Sequence, residues 1–223
     1  MLLRDSSEDI VQQFISIGKR IVAHQLNSGL DGNISVRSTR GMFITASGVD
    51  KEFISADDII EISFEGAILD GNKKPSTEFK LHSAIYNNRP DVNAIVHTHP
   101  RYTTAFAAAG KTISTNCFPE VFLSLGKVPI CPYATPSTDE VPESIVPNLN
   151  GTMALILANH GAVALGKSLD DAFYKMLKLE HTASIQIAAQ AIGGVKEISE
   201  EKLKKLLKIA PQAYGYKEIP QSE

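Results

Sequence analysis

The chain has 223 residues, of which 43% are hydrophobic and 21% are charged, and its formal net charge is -3. This length and composition are typical of a globular protein with one sizeable core, so we expect a single domain over residues 1–223. The slightly negative charge provides no basic surface for a nucleic acid, and we expect none as a partner.

The N-terminal segment and the cysteines bear on the compartment. The segment MLLRDSSEDIVQQF becomes acidic and polar before an apolar signal region can develop. No later apolar run approaches the roughly 20 residues that span a bilayer. Cys117 and Cys131 are the only cysteines, which is compatible with a reducing compartment and is too few for a thiolate metal site. We therefore expect a cytoplasmic protein that does not enter a membrane.

The first half of the chain predicts a helix, then short strands with a second helix between them. Residues 6–26 begin with Ser, Asp and Glu capping residues and carry apolar residues at helical spacing. Four β-branched runs, each bounded by Gly, Asp or Asn, predict strands at residues 34–38, 41–48, 59–69 and 93–99. The segment PSTEFKLHSAIYNNRPD, residues 75–91, predicts a helix before the last of these strands.

The second half predicts two further strands and two helices. TMALILANHGAVALG, residues 152–166, indicates two apolar strands interrupted at Asn159, His160 and Gly161. Residues 168–194 predict a long amphipathic helix that ends at a pair of glycines. The tail from residue 199 to 220 predicts one more short helix.

His97 and His99 end the apolar run VNAIVHTHP and are two of only six histidines in the chain. Side chains at positions i and i+2 of a strand point to the same face, so the two imidazoles lie side by side while Thr98 points away. A single histidine in a strand is more often an ordinary half-buried residue bonded to the backbone. A pair at this spacing can bind one metal ion, and it predicts a metal site at the end of the strand.

A third candidate ligand is His160, which ends the apolar run LILANH. The following Gly161 indicates a bend in the backbone or the close approach of another group. Three histidines with an open fourth position are typical of a catalytic zinc site, but the sequence alone leaves open whether His160 lies beside the pair. His24, His82 and His181 lie on predicted helices without such partners, and we interpret them as structural or surface residues.

Glu78 in PSTEF is the candidate carboxylate of the site. A glutamate in the first turn of a helix commonly interacts with the helix dipole and needs no function. Ser76 and Thr77, however, add two hydroxyl groups and exposed backbone N–H groups at a helix N-terminus, where anions bind readily. The fragments DGNIS and TASGV are similarly small and polar, but each alone indicates only a turn.

Six fragments follow one another along nearly the whole chain: GNISVR, ITASGV, PSTEFKLH, AIVHTHP, PYATPST and NHGAVALG. Together they resemble the class II aldolase/adducin family, and within it the branch of the fuculose-phosphate aldolases. The resemblance implies an α/β fold in α/β/α layers, with a central, mainly antiparallel mixed sheet flanked by helices. It also implies a homotetramer whose active sites lie between subunits.

The resemblance further implies a ligand set and a phosphate pocket. A divalent metal, usually zinc, would be held by His97, His99 and His160, with Glu78 as a fourth ligand when substrate is absent. Imidazole also accepts manganese or cobalt, so the identity of the metal stays open. The residues that match the phosphate pocket of the family are Gly32, Asn33, Ser47, Gly48, Ser76 and Thr77. Their N–H and hydroxyl groups would receive the dianion with no lysine or arginine required.

The implied reaction is reversible cleavage of a ketose 1-phosphate between C3 and C4, which gives dihydroxyacetone phosphate and a short aldehyde such as lactaldehyde. A Lewis-acid metal would stabilise the negative charge left beside the C2 carbonyl, without a Schiff-base lysine. Glu78 would be the catalytic residue that moves the proton at C3. We expect apolar surroundings to raise its pKa for this role.

Two aromatic positions bear on the substrate. The fuculose-phosphate aldolases place a tyrosine of a neighbouring subunit near the aldehyde oxygen, and Phe118 stands at the matching position, where it cannot transfer a proton. An apolar side chain there suits a terminal methyl or methylthio group, as in 5-deoxyribulose 1-phosphate or methylthioribulose 1-phosphate. Tyr214 either matches a tail tyrosine that closes over the site in these aldolases or is an ordinary exposed residue.

Other members of the family keep the metal and change the reaction. A methylthioribulose-1-phosphate dehydratase would expel a hydroxyl group, and a sugar-phosphate 4-epimerase would rejoin the cleaved fragments in inverted geometry. The adducin-like heads are non-catalytic interaction modules that lack the metal ligands. Since His97, His99, His160 and Glu78 are all present, the sequence favours an enzyme over an interaction module.

Overall fold

An eight-stranded sheet forms the middle of the molecule in the computed structural model, which describes residues 7–214. The strands are β1 (Asn33–Arg37), β2 (Met42–Thr45), β3 (Ile59–Ile62), β4 (Ile68–Asp70), β5 (Ala94–Thr98), β6 (Ile130–Cys131), β7 (Ala154–Leu157) and β8 (Gly161–Gly166). Their order across the sheet is β4-β3-β2-β1-β5-β8-β7-β6, and only the pair β6 and β7 is parallel. The predicted mainly antiparallel mixed sheet is confirmed.

Helices flank this sheet. In the described range the α-helices are α1 (Ser7–Ala23), α2 (Phe79–Asn88), α3 (Arg101–Ala109), α4 (Pro119–Leu125), α5 (Glu140–Ile145), α6 (Leu169–Gln190) and α7 (Glu200–Tyr214). Short 3-10 helices occur in the connections at Lys51–Phe53, Ala56–Asp58 and Val146–Asn148. Between residues 7 and 214, no helix has both the length and the apolar content needed to cross a bilayer.

The sheet carries a hydrophobic core on each face. Along β5, Val96 belongs to the cluster that α1 and α6 cover with Phe14 and Phe173, whereas Ile95 belongs to the cluster that α2 covers with Leu81. Alternate side chains of a strand point to opposite faces, so a strand covered on both faces reads as a continuous apolar run. The predicted α/β/α layers are confirmed, and β5 is buried throughout at their centre.

Three boundaries differ from the sequence prediction. The run at residues 59–69 is a hairpin of β3 and β4 rather than one strand, because the chain turns at Gly66, whose φ is 93°. The helix predicted over residues 75–91 begins only at Phe79, since the preceding segment stays extended beside β2. The last helix, α7, continues through Pro211 and is therefore longer than predicted.

Candidate active site

His97 and His99 lie at the end of strand β5, at one edge of the site. His97 lies within the strand and is fully buried, and His99 follows its last residue, Thr98. The Nε2 atoms of the two histidines lie 3.3 Å apart. The alternation of a strand accounts for this pairing, because residues two apart share one face.

The turn between β7 and β8 brings His160 to the same place. Asn159 adopts a left-handed φ of 57° there, and the pairing of β5 with β8 sets Thr98 opposite Ala162. The centroid of the His160 ring consequently lies 4.8 Å from that of each of the other two imidazoles. The three candidate ligand nitrogens lie within 4.8 Å of one another, which decides the placement that the sequence leaves open.

Glu78 faces these histidines from the start of α2. It is the N-cap residue of that helix and is partly buried. Its Oε2 lies 3.2 Å from Nε2 of His97, and its Oε1 lies 3.2 Å from Nε2 of His160. One carboxylate thus spans two of the three imidazoles.

The three histidines differ in their tendency to take up a proton. Burial, together with repulsion from neighbouring imidazoles, lowers the pKa of His99 to about 3 and the pKa of His160 to about 4. Burial also opposes protonation of His97, but the adjacent Glu78 carboxylate outweighs it and raises the pKa of that residue. His99 and His160 are therefore neutral near pH 7, which is the form that binds a metal.

The pKa of Glu78 departs from the sequence expectation. Burial favours the neutral acid, as expected, but His97, His160 and the amide of Asn33 act together in the opposite direction. They hold the pKa of Glu78 well below its usual range, because charged and hydrogen-bonding partners favour the carboxylate more than burial disfavours it. The expectation of a raised pKa is wrong, and Glu78 is ionised at neutral pH.

The donor set fits a divalent metal. His97 Nδ1 lies 2.9 Å from the carbonyl oxygen of Ala162, which can only accept a hydrogen bond, so Nδ1 carries the proton and Nε2 presents its lone pair. Imidazole nitrogens and a carboxylate suit zinc, and cobalt and manganese accept the same ligands. His97, His99 and His160 could hold such an ion, with Glu78 beside them.

Comparison with known families matches residues 12–187 to the Class II Aldolase and Adducin N-terminal domain. The chain belongs to the class II aldolase and adducin family. The 5-deoxy-D-ribulose 1-phosphate aldolase of Bacillus thuringiensis serovar kurstaki is 30% identical over 210 residues, which are 93% of this chain and 96% of that relative. The 5-methylthioribulose-1-phosphate/5-deoxyribulose-1-phosphate aldolase of Rhodospirillum rubrum is 34% identical over 169 residues, or 76% of each chain.

A solved structure of L-fuculose 1-phosphate aldolase is also similar. Its TM-score is 0.85 at 30% identity, and the match covers 91% of this chain and 96% of that one. Class II aldolases are metal-dependent lyases, so these likenesses agree with a histidine cluster that could hold a metal.

Two of the segments that match the phosphate pocket of the family, one with Ser47 and one with Ser76, lie next to each other. The N–H of Ser47 donates to the carbonyl of Lys74, and the N–H of Ser76 donates to the carbonyl of Thr45. Both N–H groups therefore already donate to backbone carbonyls of the protein. The hydroxyls of Ser47 and Thr77, by contrast, have no hydrogen-bond partner within residues 7–214, and both residues are exposed. The hydroxyl groups are therefore stronger candidates than these N–H groups for donating hydrogen bonds to a bound anion.

The third segment that matches the pocket, at Gly32 and Asn33, packs beside the histidines. Gly32 and Gly48 adopt left-handed φ values of 75° and 71°, which other residues rarely accept. A Cβ at position 32 would lie 2.6 Å from the carbonyl oxygen of His97, so only glycine allows this loop to pack against β5. The candidate phosphate pocket therefore adjoins the candidate metal site.

Asn33, which also matches the pocket, uses its side chain inside the protein. Its Nδ2 donates to Oε2 of Glu78 at 2.8 Å, and its Oδ1 lies 2.5 Å from Nε2 of His82. The side-chain amide of Asn33 thus serves the carboxylate directly. His82, interpreted from the sequence as a structural or surface residue, is fully buried behind it.

Lys51 is a buried residue that the sequence reasoning misses. It is 2% exposed, and its Nζ donates to the carbonyls of Leu30 at 3.0 Å and of Val49 at 2.7 Å. These carbonyls lie in the two loops that carry Gly32 and Gly48. Burial lowers the pKa of Lys51 to about 8, although nearby carboxylates oppose the shift. A cation therefore ties the two loops together, and a lone lysine in VDKEF gives no signal of it.

The two aromatic residues singled out in the sequence lie elsewhere. Phe118 lines a cavity of about 690 Å³ with residues of α6 such as Tyr174 and Leu177, and no residue proposed for the metal or the phosphate lines that cavity. The resemblance implies that Phe118 acts in the site of a neighbouring copy of the chain, and this stays a prediction. The side chain of Tyr214 lies outside the described part of the chain.

Proposed function

We propose that the protein is a metal-dependent aldolase that cleaves a ketose 1-phosphate between C3 and C4. The observation that carries the proposal is the convergence of three imidazoles and an ionised carboxylate beside loops with free hydroxyl groups. The products are dihydroxyacetone phosphate and a short aldehyde. We assign the whole chain, residues 1–223, to one domain of the family.

In this proposal His97, His99 and His160 would hold a zinc, manganese or cobalt ion, and Glu78 would be a fourth ligand when substrate is absent. When bound, such an ion supplies a Lewis acid for the negative charge that develops beside the C2 carbonyl. The hydrogen bond from His97 Nδ1 to the carbonyl of Ala162 orients this ring and leaves the lone pair of Nε2 available to such an ion.

Glu78 moves the proton at C3. In the direction of bond formation the ionised carboxylate accepts this proton from dihydroxyacetone phosphate, and in cleavage it returns the proton to the same carbon. The lowered pKa of Glu78 keeps it ionised at neutral pH, which is the form that can accept a proton. The proton on the O4 hydroxyl leaves through water or a side chain other than Phe118, because phenylalanine has no group to receive it.

The phosphate lies in the pocket between the three loop segments. Its proposed ligands are Gly32, Asn33, Ser47, Gly48, Ser76 and Thr77. The free hydroxyls of Ser47 and Thr77 support direct contact with a dianion. Lys51, buried beneath two of these loops, adds positive charge that the sequence reasoning does not require.

L-Fuculose 1-phosphate or a similar ketose phosphate is the proposed substrate. Phe118 favours a second candidate, 5-deoxyribulose 1-phosphate or methylthioribulose 1-phosphate, because an apolar ring suits an apolar substrate end. Relatives named for those two substrates at 30% and 34% identity support this second candidate. The homotetramer with sites between subunits and the cytoplasmic location remain predictions.

Product analysis by liquid chromatography coupled to mass spectrometry tests the proposal. Metal-loaded protein is incubated separately with L-fuculose 1-phosphate and with 5-deoxyribulose 1-phosphate. An aldolase yields dihydroxyacetone phosphate with lactaldehyde from the first and with acetaldehyde from the second. Loss of water would instead identify a dehydratase, and an isomer of unchanged mass would identify an epimerase. A protein that binds no metal and changes neither compound would behave as an adducin-like interaction module.

A further inference from the structure

A row of polar side chains runs from Glu78 into the layer between β1 and α2. Asn33 Nδ2 donates to Glu78 Oε2 at 2.8 Å, and Asn33 Oδ1 lies 2.5 Å from His82 Nε2. His82 Nδ1 lies 2.6 Å from Ser35 Oγ, which lies 2.8 Å from the hydroxyl of Tyr86. Beyond Asn33 all of these side chains are essentially inaccessible to solvent. Buried polar groups are costly unless each one is paired, and here each one is.

Glu78, at one end of the row, determines which group donates and which accepts in every hydrogen bond along it. An ionised carboxylate can only accept, so Asn33 turns its NH2 group toward Glu78 and its carbonyl toward His82. A carbonyl can only accept, so His82 carries its proton on Nε2. Nδ1 of His82 must then accept from the hydroxyl of Ser35, and Ser35 in turn accepts from Tyr86.

Burial keeps the far members of the row in the form that this direction requires. It lowers the pKa of His82 to about 3, so the imidazole is neutral and offers one donor and one acceptor. Burial also raises the pKa of Tyr86, although Ser35 and Arg37 act in the opposite direction, so its hydroxyl keeps its proton. The row therefore has one consistent arrangement of protons at neutral pH.

We propose that His82 is a positioning residue for Glu78, acting through the side chain of Asn33. By fixing the Asn33 amide, His82 ensures that Oε2 of Glu78 receives an N–H donor, while Oε1 on the His160 side is left for proton transfer. Without the His82 donor the Asn33 amide can rotate and turn its carbonyl toward the carboxylate. The inference rests on the proposed function, since it concerns the base assigned there.

Two substitutions at position 82 test this role by kinetics. His82→Leu removes both hydrogen bonds, and we expect kcat to fall roughly 10- to 100-fold, as is common when a group that orients an active-site residue is removed. We expect KM for the phosphorylated ketose and the metal content to stay near the wild-type values. His82→Gln offers a donor and an acceptor again and should restore most of the kcat.

Ser83→Ala is the matched control. Ser83 is the next residue on α2, and its buried Oγ has no hydrogen-bond partner among the described residues. We expect this variant to keep the wild-type kcat and KM. A His82→Leu variant that folds and has wild-type kcat and KM would overturn the positioning role, as would a His82→Gln variant that is as impaired as His82→Leu.

The arrangement of protons can be measured without any activity. In 15N NMR of histidine-labelled protein, His82 is assigned by the signal lost in His82→Gln. We expect a neutral ring with its proton on Nε2 between pH 5 and pH 8, in metal-free and metal-loaded protein alike. A proton on Nδ1, or a doubly protonated ring at pH 7, overturns the inference even if His82→Leu does not fold.

The two proposals fail in different ways. If Glu78→Gln keeps full activity, the assigned base is wrong, and the positioning role of His82 in catalysis falls with it. If Glu78→Gln is inactive and His82→Leu retains wild-type kinetics, only the positioning role is wrong. The comparison of these two variants in one assay therefore separates the outcomes.

Discussion

Gly161 packs so closely against His99 that a Cβ at position 161 would lie 2.5 Å from Cδ2 of the His99 ring. The same atom would lie 2.7 Å from the carbonyl oxygen of Thr98. A Cβ atom does not approach a non-bonded carbon or carbonyl oxygen this closely in proteins, so any side chain at position 161 displaces its neighbours. Gly161 carries no ligand atom, yet its missing side chain is what lets β8 begin beside a candidate metal ligand.

Gly161→Ala should therefore weaken metal binding. We expect the metal affinity to fall roughly 10- to 100-fold because the His99 ring moves from its place, a range typical of losing an interaction that orients a ligand. A competition titration against a chromophoric chelator measures it. Gly166→Ala, at the other end of β8, creates a similar clash with the backbone of Ala172 and should lower stability without changing the affinity of folded protein. Equal metal affinity in wild type and Gly161→Ala would contradict the account.

Glu78→Gln should separate binding from turnover. The amide has nearly the shape of the carboxylate but cannot accept the C3 proton, so we expect kcat to fall by roughly 10²- to 10⁴-fold. Metal content, measured by mass spectrometry of the purified protein, and inhibition by inorganic phosphate should change much less. A Glu78→Gln variant that keeps full activity would exclude the proposed role.

Lys51→Met should weaken phosphate binding. Removing the cation that ties the Leu30 and Val49 loops should reduce the affinity for inorganic phosphate about tenfold, equivalent to about 1.4 kcal/mol, and raise KM for the ketose phosphate. Lys175→Met is the control, since Lys175 also donates from a largely buried position to a backbone carbonyl, that of Leu165. Competitive inhibition by inorganic phosphate gives both affinities. The same affinity in both variants would remove Lys51 from the pocket.

The metal-free protein should lose stability as the pH falls below about 6.5. His82, His99 and His160 have folded pKa values of about 3, 3 and 4, below the ordinary value of 6.5. The unfolded chain therefore binds more protons than the folded chain in this window, so stability rises with pH across it, by up to about 1.4 kcal/mol for each unit by which one pKa is lowered. The raised pKa of His97 opposes the trend but is one group against three.

Urea unfolding of metal-free protein at pH 7.5 and pH 5 measures this dependence. We expect a lower midpoint at pH 5 and a smaller difference between the two midpoints in the His82→Gln variant. A midpoint that is equal or higher at pH 5 would show that the histidines are not held neutral in the fold.

Local patterns predict the pairing of His97 with His99 well. The two-residue period of a strand is fixed by covalent geometry, so alternation alone places both rings on one face. The position of His160 depends instead on the register that sets Thr98 opposite Ala162, between strands far apart in the sequence. No local pattern contains that register, and the resemblance to the family supplies it.

The pKa of Glu78 likewise depends on contacts between distant segments that no local pattern shows. The apolar neighbours that favour a raised pKa are visible in the sequence, but the partners that lower it come from β1, β5 and the turn before β8. The burial of Lys51 and His82 cannot be predicted from the sequence either, because a polar residue on a short helix is usually exposed. Burial of such residues depends on what the rest of the chain packs over them.

Some helices are absent from the prediction for a simpler reason. α4 and α5 span seven and six residues, which is too short for a helical period to stand out. α3 is rich in alanine, and only Thr103 and Ala107 are buried along it, so it has little contrast between faces. The long α6 and the N-terminal α1, which cover the core with regular apolar residues, are predicted.

The most direct test of the proposed function is release of dihydroxyacetone phosphate from ketose 1-phosphates, followed with a coupled dehydrogenase. We predict release by metal-loaded protein, loss of release after chelation, recovery on adding zinc, manganese or cobalt back, and little release by Glu78→Gln. No release from L-fuculose, 5-deoxyribulose or methylthioribulose 1-phosphate by protein with verified metal content would contradict the aldolase assignment.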